Sequence, residues 1–279
     1  PPAQPQPPAS AAPPVGANPT APGKGARLDA PDMAPFGALS PAGGFVPTAQ
    51  GVPAGLRQLA DAGAANAQYE MASRFADGRG VNRDMKVAAQ LFEKAAAQGL
   101  APAQYRLGSL YEKGLGVSRD AVQARIWYMR AAERGNARAM HNLAVLTAEG
   151  VDGKPDYNAA AQWFRRGAEL GVRDSQFNLA ILYARGLGVE QSLVHSYAWF
   201  DAAAAQGDAD AGKKRDEVAS RLGNVELATA RAMAAAYKPR QPDAAGNEVP
   251  TPVGGWEALQ KAPEPATAPT RRPAKVSSL

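Results

Sequence analysis

Small, apolar and aromatic residues recur along the middle of the chain in a fixed order. Gly99, Gly135, Gly171 and Gly207 are spaced 36 residues apart, and Gly63 lies one period earlier. A bulky pair rich in aromatic residues, followed by a pair of small residues, repeats at the same period. Self-similarity at a period of about 20–50 residues is typical of solenoids, in which stacked units bury a continuous core. The pattern therefore predicts an extended binding surface rather than a catalytic pocket.

Each unit is predicted to contain two α-helices. In the second unit Leu107, Leu110 and Gly114 follow one another at three- and four-residue steps, along one face of a first helix. Gly114 ends that helix, because glycine adopts the left-handed conformation without a Cβ clash. The second helix carries Trp127 and ends before Gly135. Its start is marked by side chains that can cap first-turn amides, and this column reads Asp84, Asp120, Asp156 and Ser192.

The pattern predicts an all-α protein, an αα-hairpin solenoid between two proline-rich tails. The solenoid covers residues 54–237, with four full units over 64–207 and partial units or caps at 54–63 and 208–237. Residues 1–53 contain 14 of the 24 prolines and are expected to be a disordered linker. Residues 238–279 have a similar composition and are expected to be a disordered tail. Trp256, within that tail, is either incidental or part of a short docking motif.

The charge distribution argues against a nucleic-acid partner. The formal net charge is +5, but basic and acidic residues are interspersed through the repeats, and no helix carries a one-sided basic stripe. A basic cluster in the tail, Arg271, Arg272 and Lys275, is interpreted as a solubilising feature. The chain has no cysteine, which excludes disulfides and thiolate metal sites. No apolar run approaches the length of about 18 residues that suggests a transmembrane helix.

No combination of residues predicts catalysis, a cofactor or a metal site. His141 stands in a column of aromatic residues and is interpreted as a packing residue, and His195 as a partly exposed one. His195 has no carboxylate or second histidine three or four residues away on its helix. Trp127, Trp163 and Trp199 could stack on sugars, but their periodic position beside small residues favours core packing.

First-helix positions that vary between units are the candidate recognition residues. They share one face by three- and four-residue spacing, and stacked first helices are expected to line the inner curve of an αα solenoid. Their asparagines could hydrogen bond to a peptide or glycan, and Val145 and Ile181 could supply apolar contact. The alternative is an ordinary solvated surface. The predicted partner-binding stripe consists of Arg106, Ser109, Lys113, Asn142, Val145, Asn178, Ile181 and Arg185.

The motif within each unit resembles a known repeat. Residues 101–117, with Trp127-Tyr128 and Ala131–Gly135, are similar to the Sel-one-like repeat, a relative of the tetratricopeptide repeat. The resemblance covers residues 53–222, although Asp152-Gly153-Lys154-Pro155 replaces the usual Gly-Val turn in the third unit. It implies an adaptor module that organises multiprotein complexes, often in the envelope compartments of bacteria.

A narrower resemblance is carried by Glu133–Val145, Asp174–Gly186, Ala205–Arg215 and Gly254-Gly255-Trp256. These segments resemble the C-terminal domain of polar localisation factors of the PodJ family. The resemblance implies the periplasmic part of a protein anchored by one membrane span, which recruits polarity, division or surface-structure factors at a cell pole. The start of the chain, without methionine and in a proline-rich segment, agrees with that expectation.

Three classes of function follow from these observations. A non-catalytic periplasmic scaffold that binds protein partners is favoured. A peptidoglycan-binding module or a regulator of cell-wall enzymes is the alternative. A hydrolase is disfavoured, because no convergent acid–base pair is found and such chemistry needs two positioned groups with distinct pKa values.

Overall fold

Helices form all the regular secondary structure in the part of the chain that the computed structural model describes, residues 51–151 and 153–259. The expectations for residues 1–50 and 260–279, including the basic cluster of the tail, lie outside the described residues. The helices are α1 Ala54–Asp61, α2 Ala65–Asp77, α3 Met85–Ala97, α4 Ala101–Lys113, α5 Ala121–Glu133, α6 Ala137–Glu149, α7 Tyr157–Glu169, α8 Arg173–Arg185, α9 Leu193–Ala204, α10 Ala209–Ala219, α11 Asn224–Ala236 and α12 Ala244–Asn247, followed by a 3-10 helix at Trp256–Leu259.

The four predicted repeats correspond to the helix pairs α2–α3, α4–α5, α6–α7 and α8–α9. The two helices of each pair pack together, and each second helix also packs on the first helix of the next repeat. The prediction of an all-α array of helical hairpins is therefore confirmed.

Capping residues and glycines determine where the helices of a repeat begin and end. All four predicted N-cap residues accept hydrogen bonds from first-turn amides of the second helices. The first helices end at Gly78, Gly114, Gly150 and Gly186, whose φ angles lie between 67° and 73°. A residue with a Cβ is strained in this left-handed region, so these four turns require glycine.

The core is built between successive repeats. One column of the first helices reads Leu110, Leu146 and Leu182, and each of these residues is 5 % exposed. Leu146 lies in a cluster with Tyr128 of the second repeat, and Leu182 in a cluster with Phe164 of the third. Burying such a side chain contributes about 1.5–3 kcal/mol. Each first helix therefore depends on the repeat before it.

The periodic tryptophans take part in this packing. Trp127 is buried in the hydrophobic cluster of the first repeat, which contains Phe92. Trp163 and Trp199 are half-buried and pack against the clusters that contain Tyr128 and Phe200. The guanidinium groups of Arg130 and Arg166 lie 4.6 and 4.4 Å from the ring centroids of Trp127 and Trp163. The structure therefore agrees with the prediction that these side chains pack in the core.

Buried glutamines connect the repeats. Gln68, Gln104 and Gln176 each donate a side-chain hydrogen bond, 3.1–3.3 Å long, to the carbonyl oxygen eight residues earlier. These carbonyls lie in the last turn of the preceding helix, where each also accepts a hydrogen bond from the amide of the glycine that follows the helix. The third repeat has Met140 at this position.

Shorter elements cover the two ends of the array. Before the first repeat, α1 buries Leu56 and packs on α2. After the fourth repeat, α10 and α11 both pack on α9. Lys213 and Lys214 on α10 are exposed, so the surface beyond the fourth repeat is polar.

Residues 238–259, which we call the C-terminal strap, run back along the repeats. The expectation of a disordered tail is wrong for these residues, because they make specific hydrogen bonds to successive repeats. The amide of Arg240 donates to the last carbonyl of α7 at 2.8 Å, and the side chain of Asn136 donates to the Gly246 carbonyl at 2.7 Å. The side chain of Asn66, in the first repeat, donates to the Pro250 carbonyl at 3.0 Å. Hydrogen bonds to the backbone of the strap thus order a segment that has too few apolar residues to form a core.

Gly246 allows the attachment of the strap to be tested. A Cβ atom at this position would lie 2.6 Å from the carbonyl oxygen of Arg134, closer than backbone atoms permit. We expect Gly246→Ala to release the strap around α12. The readout is faster hydrogen exchange of the Ala137 amide, which donates to Asn247 Oδ1 at 3.0 Å.

Gly212→Ala is the matched control for this experiment. Gly212 lies inside α10, and its added Cβ would meet only the Cβ of Ala204, at 3.9 Å. Alanine is the better helix former, so this variant should fold and leave the Ala137 exchange rate unchanged. Unchanged exchange in Gly246→Ala as well would show that the strap does not rely on this close approach.

Candidate functional site

The predicted partner-binding stripe lies on α4, α6 and α8. Lys113 and Arg185, at the last positions of α4 and α8, are exposed. The other six residues of the stripe are half-buried. The stripe is therefore neither a fully solvated surface nor part of the core.

Two residues of the stripe converge on a buried tyrosine. Ser109 and Asn142 lie beside the side chain of Tyr128, whose hydroxyl group donates to Glu112 Oε2 at 2.5 Å. Burial raises the pKa of Tyr128 well above its ordinary value, and the hydrogen bond to Glu112 raises it further. The polar end of this cluster faces the stripe, so Glu112 and Tyr128 are functional candidates that the sequence analysis did not identify.

Three side chains of the stripe already pack against other parts of the protein. Val145 packs against the hydrophobic cluster that contains Phe164, and Ile181 packs against the cluster that contains Phe200. The guanidinium group of Arg106 lies 5.4 Å from the centroid of the Phe92 ring. Among the described stripe residues, Asn178, Lys113 and Arg185 therefore present the most available polar groups to a partner.

In the first repeat the chain itself covers the continuation of the stripe. The equivalent positions are Glu70, Ser73 and Asp77, and Ser73 is buried although Ser109 is half-buried. Arg74, whose side chain is 6 % exposed, pairs with Glu70 Oε1 at 2.8 Å and with Glu257 Oε1 of the strap at 2.5 Å. The neighbouring Trp256 is buried in the cluster of the first repeat. The aromatic residue for which a docking motif was considered thus docks on its own chain.

Arg74 is another functional candidate that the sequence analysis did not identify, although the repeat pattern distinguishes it. Its column reads Arg74, Leu110, Leu146 and Leu182, so one charge stands where the other repeats have leucine. A charge at a core position requires an opposite charge, because an unpaired buried ion is strongly destabilising. Glu70 was visible as a partner four residues away, but Glu257 lies 183 residues along the chain.

The histidines lie in separate packing environments. His141 Nδ1 is 3.0 Å from Ser175 Oγ, and burial lowers the pKa of its imidazole. His195 stacks on Tyr183 with ring centroids 4.8 Å apart and hydrogen bonds to Ser192 at 2.8 Å. Burial lowers the pKa of His195, and the charge of Arg165 lowers it further. The two imidazoles therefore serve the packing of the repeats.

A shallow cleft of about 580 Å³ lies beside His195, lined also by Arg165, Tyr183 and Gln191. Arg165 donates to the Tyr183 hydroxyl at 2.8 Å, so its charge is already partly used. Within residues 51–151 and 153–259, no group of three or more His, Cys, Asp or Glu side chains could hold a metal ion. In the same ranges no helix has both the length and the apolar character needed to cross a membrane.

The repeats correspond to a known family model. Residues 65–100, 101–136, 137–172 and 173–208 each match the Sel1 repeat, and together these segments make up just over half of the chain. The chain belongs to the Sel1 repeat family. Each matched segment begins with a first helix and ends in the turn after a second helix, as the helix bounds require. Sel1 repeats generally mediate protein–protein interactions and are typically non-catalytic scaffolds.

Solved structures with the same repeat are similar to this Sel1 repeat protein. A Sel1 repeat protein from Oxalobacter formigenes is 30 % identical, with a TM-score of 0.55, over 64 % of this chain and 75 % of its own. A protective antigen from uropathogenic Escherichia coli strains is 25 % identical, with a TM-score of 0.44, over 78 % of this chain and 52 % of its own. A search of curated proteins finds no match.

The histidine environments predict how stability changes with pH. Both imidazoles have folded-state pKa values below the ordinary value of 6.5, so the unfolded chain takes up protons first as the pH falls. We expect the free energy of unfolding to decrease as the pH falls through about 6.5. Urea unfolding between pH 7.5 and 5.5 measures this decrease, and NMR titration of the two imidazoles measures the pKa values.

His141→Phe provides the control for the pH dependence. The same column contains Phe177, so a phenylalanine ring fits this position in another repeat. This variant should fold and should lose the share of the pH dependence that belongs to His141. An imidazole pKa above 6.5 for either residue would contradict the predicted direction.

Proposed function

We propose that this Sel1 repeat protein is a non-catalytic scaffold that holds protein partners on the stripe formed by α4, α6 and α8. The observation that carries the proposal is the contrast between two kinds of column. The packing columns repeat the same residue types in each unit, whereas the stripe changes from unit to unit and keeps polar groups at the surface. Residues that differ at equivalent positions can distinguish one partner from another.

Charge and hydrogen-bonding capacity indicate the chemistry of the partner. Lys113 and Arg185 are exposed and favour acidic groups. Asn142 and Asn178 each carry a donor and an acceptor, which suit the backbone of an extended segment or the end of a helix. A partner segment with carboxylates would therefore match the stripe.

The cellular role in this proposal comes from the resemblance to the PodJ family. We infer a periplasmic position, with the parent protein anchored by one membrane span at a cell pole. There the repeats would bring together polarity, division or surface-structure factors. The four segments similar to that family and the proline-rich composition of the two tails support this inference.

Site-specific photo-crosslinking in the bacterium that carries the full gene tests the proposal. A photo-reactive amino acid replaces Asn178 in one strain and Gln162 in another. Gln162 is exposed on a second helix outside the stripe and serves as the control. We expect a discrete protein adduct from position 178 and none from position 162.

Substitutions then relate that adduct to the stripe. Lys113→Glu together with Arg185→Glu should lower its yield roughly tenfold, because reversed charges repel an acidic partner. The melting temperature should change little, since both side chains are exposed. Equal adducts from positions 178 and 162, or an unchanged yield after charge reversal, would contradict the assignment of the stripe.

Experiments with the purified protein test the alternative functions. Sedimentation with peptidoglycan at several salt concentrations measures direct wall binding. Binding that survives removal of associated proteins would favour the peptidoglycan-binding alternative. Turnover of muropeptides would contradict a non-catalytic role.

A further inference from the structure

The N-terminal end of the array is an incomplete packing surface. In the later repeats, the leucine at the column position of Arg74 packs against the preceding repeat. Among the described residues, α1 is the helix that precedes the first repeat, and it corresponds to part of a second helix. The space that a preceding first helix would fill is therefore left for another occupant.

Residues Trp256–Leu259 of the strap take this place. The 3-10 helix packs against α1, and Trp256 joins the cluster that contains Leu56 and Phe75. Leu259 packs at the edge of the same cluster. A single aromatic residue and one aliphatic residue thus replace the contacts of a whole helix.

The approach of the strap to this place depends on two glycines. Gly254 and Gly255 have φ angles of 81° and 76°, a left-handed pair that reverses the chain directly before Trp256. Before them, Val253 is fully exposed, and residues 250–255 include no buried side chain. The docked part of this end is therefore short and is joined to the solenoid through a solvated stretch.

The charges at this end complement one another. Arg74 is held between two carboxylates, that of Glu70 on its own helix and that of Glu257 on the strap. Arg79 adds a second positive charge near Glu257. The hydrogen bond to Arg74 lowers the pKa of Glu257, so this carboxylate is charged at neutral pH. A core leucine would have served packing alone, whereas an arginine selects a carboxylate.

We propose that the N-terminal end of the solenoid around Arg74 is a binding site for a short segment in which an aromatic residue is directly followed by an acidic one. Trp256 and Glu257 occupy this site in cis. The occupant can be exchanged for a segment of the same chemistry on a partner protein, which would bury its aromatic ring against α1 and pair its carboxylate with Arg74. This site is separate from the stripe on α4, α6 and α8, so either assignment can fail without the other.

A peptide supplied in trans tests the site. The receptor is the full chain with Trp256→Ala and Glu257→Ala, which empties the site and leaves the rest of the strap. The probe is a fluorescein-labelled peptide of residues 250–260, and binding is measured by fluorescence anisotropy. We expect the emptied chain to bind the peptide at least about tenfold more tightly than the unaltered chain, because a tethered segment competes at an effective concentration near millimolar.

The repeats themselves provide the matched control. Arg74→Leu introduces the residue that the other three repeats have at this position, so the variant should fold. In the emptied chain, Arg74→Leu should weaken peptide binding at least about tenfold, because the carboxylate loses its partner. A peptide with Glu257→Lys should bind equally weakly to the chain with Arg74.

A second measurement does not require an emptied site. In full chain labelled with 5-fluorotryptophan, the ¹⁹F resonance of Trp256 is assigned through Trp256→Phe. Glu257→Lys should move this resonance towards that of a solvent-exposed indole, while the resonances of Trp127, Trp163 and Trp199 stay in place.

These outcomes distinguish a binding site with an exchangeable occupant from a segment that the fold requires. The proposal is overturned if the folded, emptied chain does not bind the peptide, or if Arg74→Leu binds it equally well. Loss of the folded state in Glu257→Lys, seen as movement of all four tryptophan resonances, would also overturn it, since the segment would then be an obligatory part of the fold.

Discussion

The packing of each first helix against the preceding repeat is the interaction on which the rest of the structure depends. Leu110, Leu146 and Leu182 are buried only because another helix pair lies before them. A hairpin of two 13-residue helices cannot bury such a side chain alone. The array must therefore end in elements that are not repeats, and both the strap and the polar α10 follow from this constraint.

The C-terminal strap connects the two ends of the array. It leaves α11 beside the fourth repeat, hydrogen bonds at the junction before α6, and reaches the first repeat at Asn66. At that end Arg74 replaces the leucine that needs a preceding repeat, and Glu257 supplies the charge that the arginine requires. The end of the array, where a preceding repeat would otherwise pack, can thereby recognise an aromatic residue followed by a carboxylate.

Much of the candidate surface could be predicted from the sequence, because the 36-residue register aligns equivalent positions without a structure. This register distinguishes the repeat positions that pack in the core from those that vary between repeats, and it places Lys113, Asn178 and Arg185 on one face. It could not show that Ser109 and Asn142 meet Tyr128 and Glu112, because those contacts join three helices, and Asn142 comes from the following repeat. Val145 and Ile181 are likewise half-buried, since the neighbouring clusters reach them.

The sequence by itself determined the helices, their ends and their order, because these rest on local chemistry. Glycines permit left-handed turns, aspartates cap first turns, and apolar spacing defines a helical face. Only the tertiary structure decided the course of residues 238–259. Their composition is that of a solvated chain, and their contacts depend on carbonyls, amides and one arginine that folding brings within reach. Composition reports how much apolar surface a segment can bury, but it does not report which partners the rest of the fold presents to it.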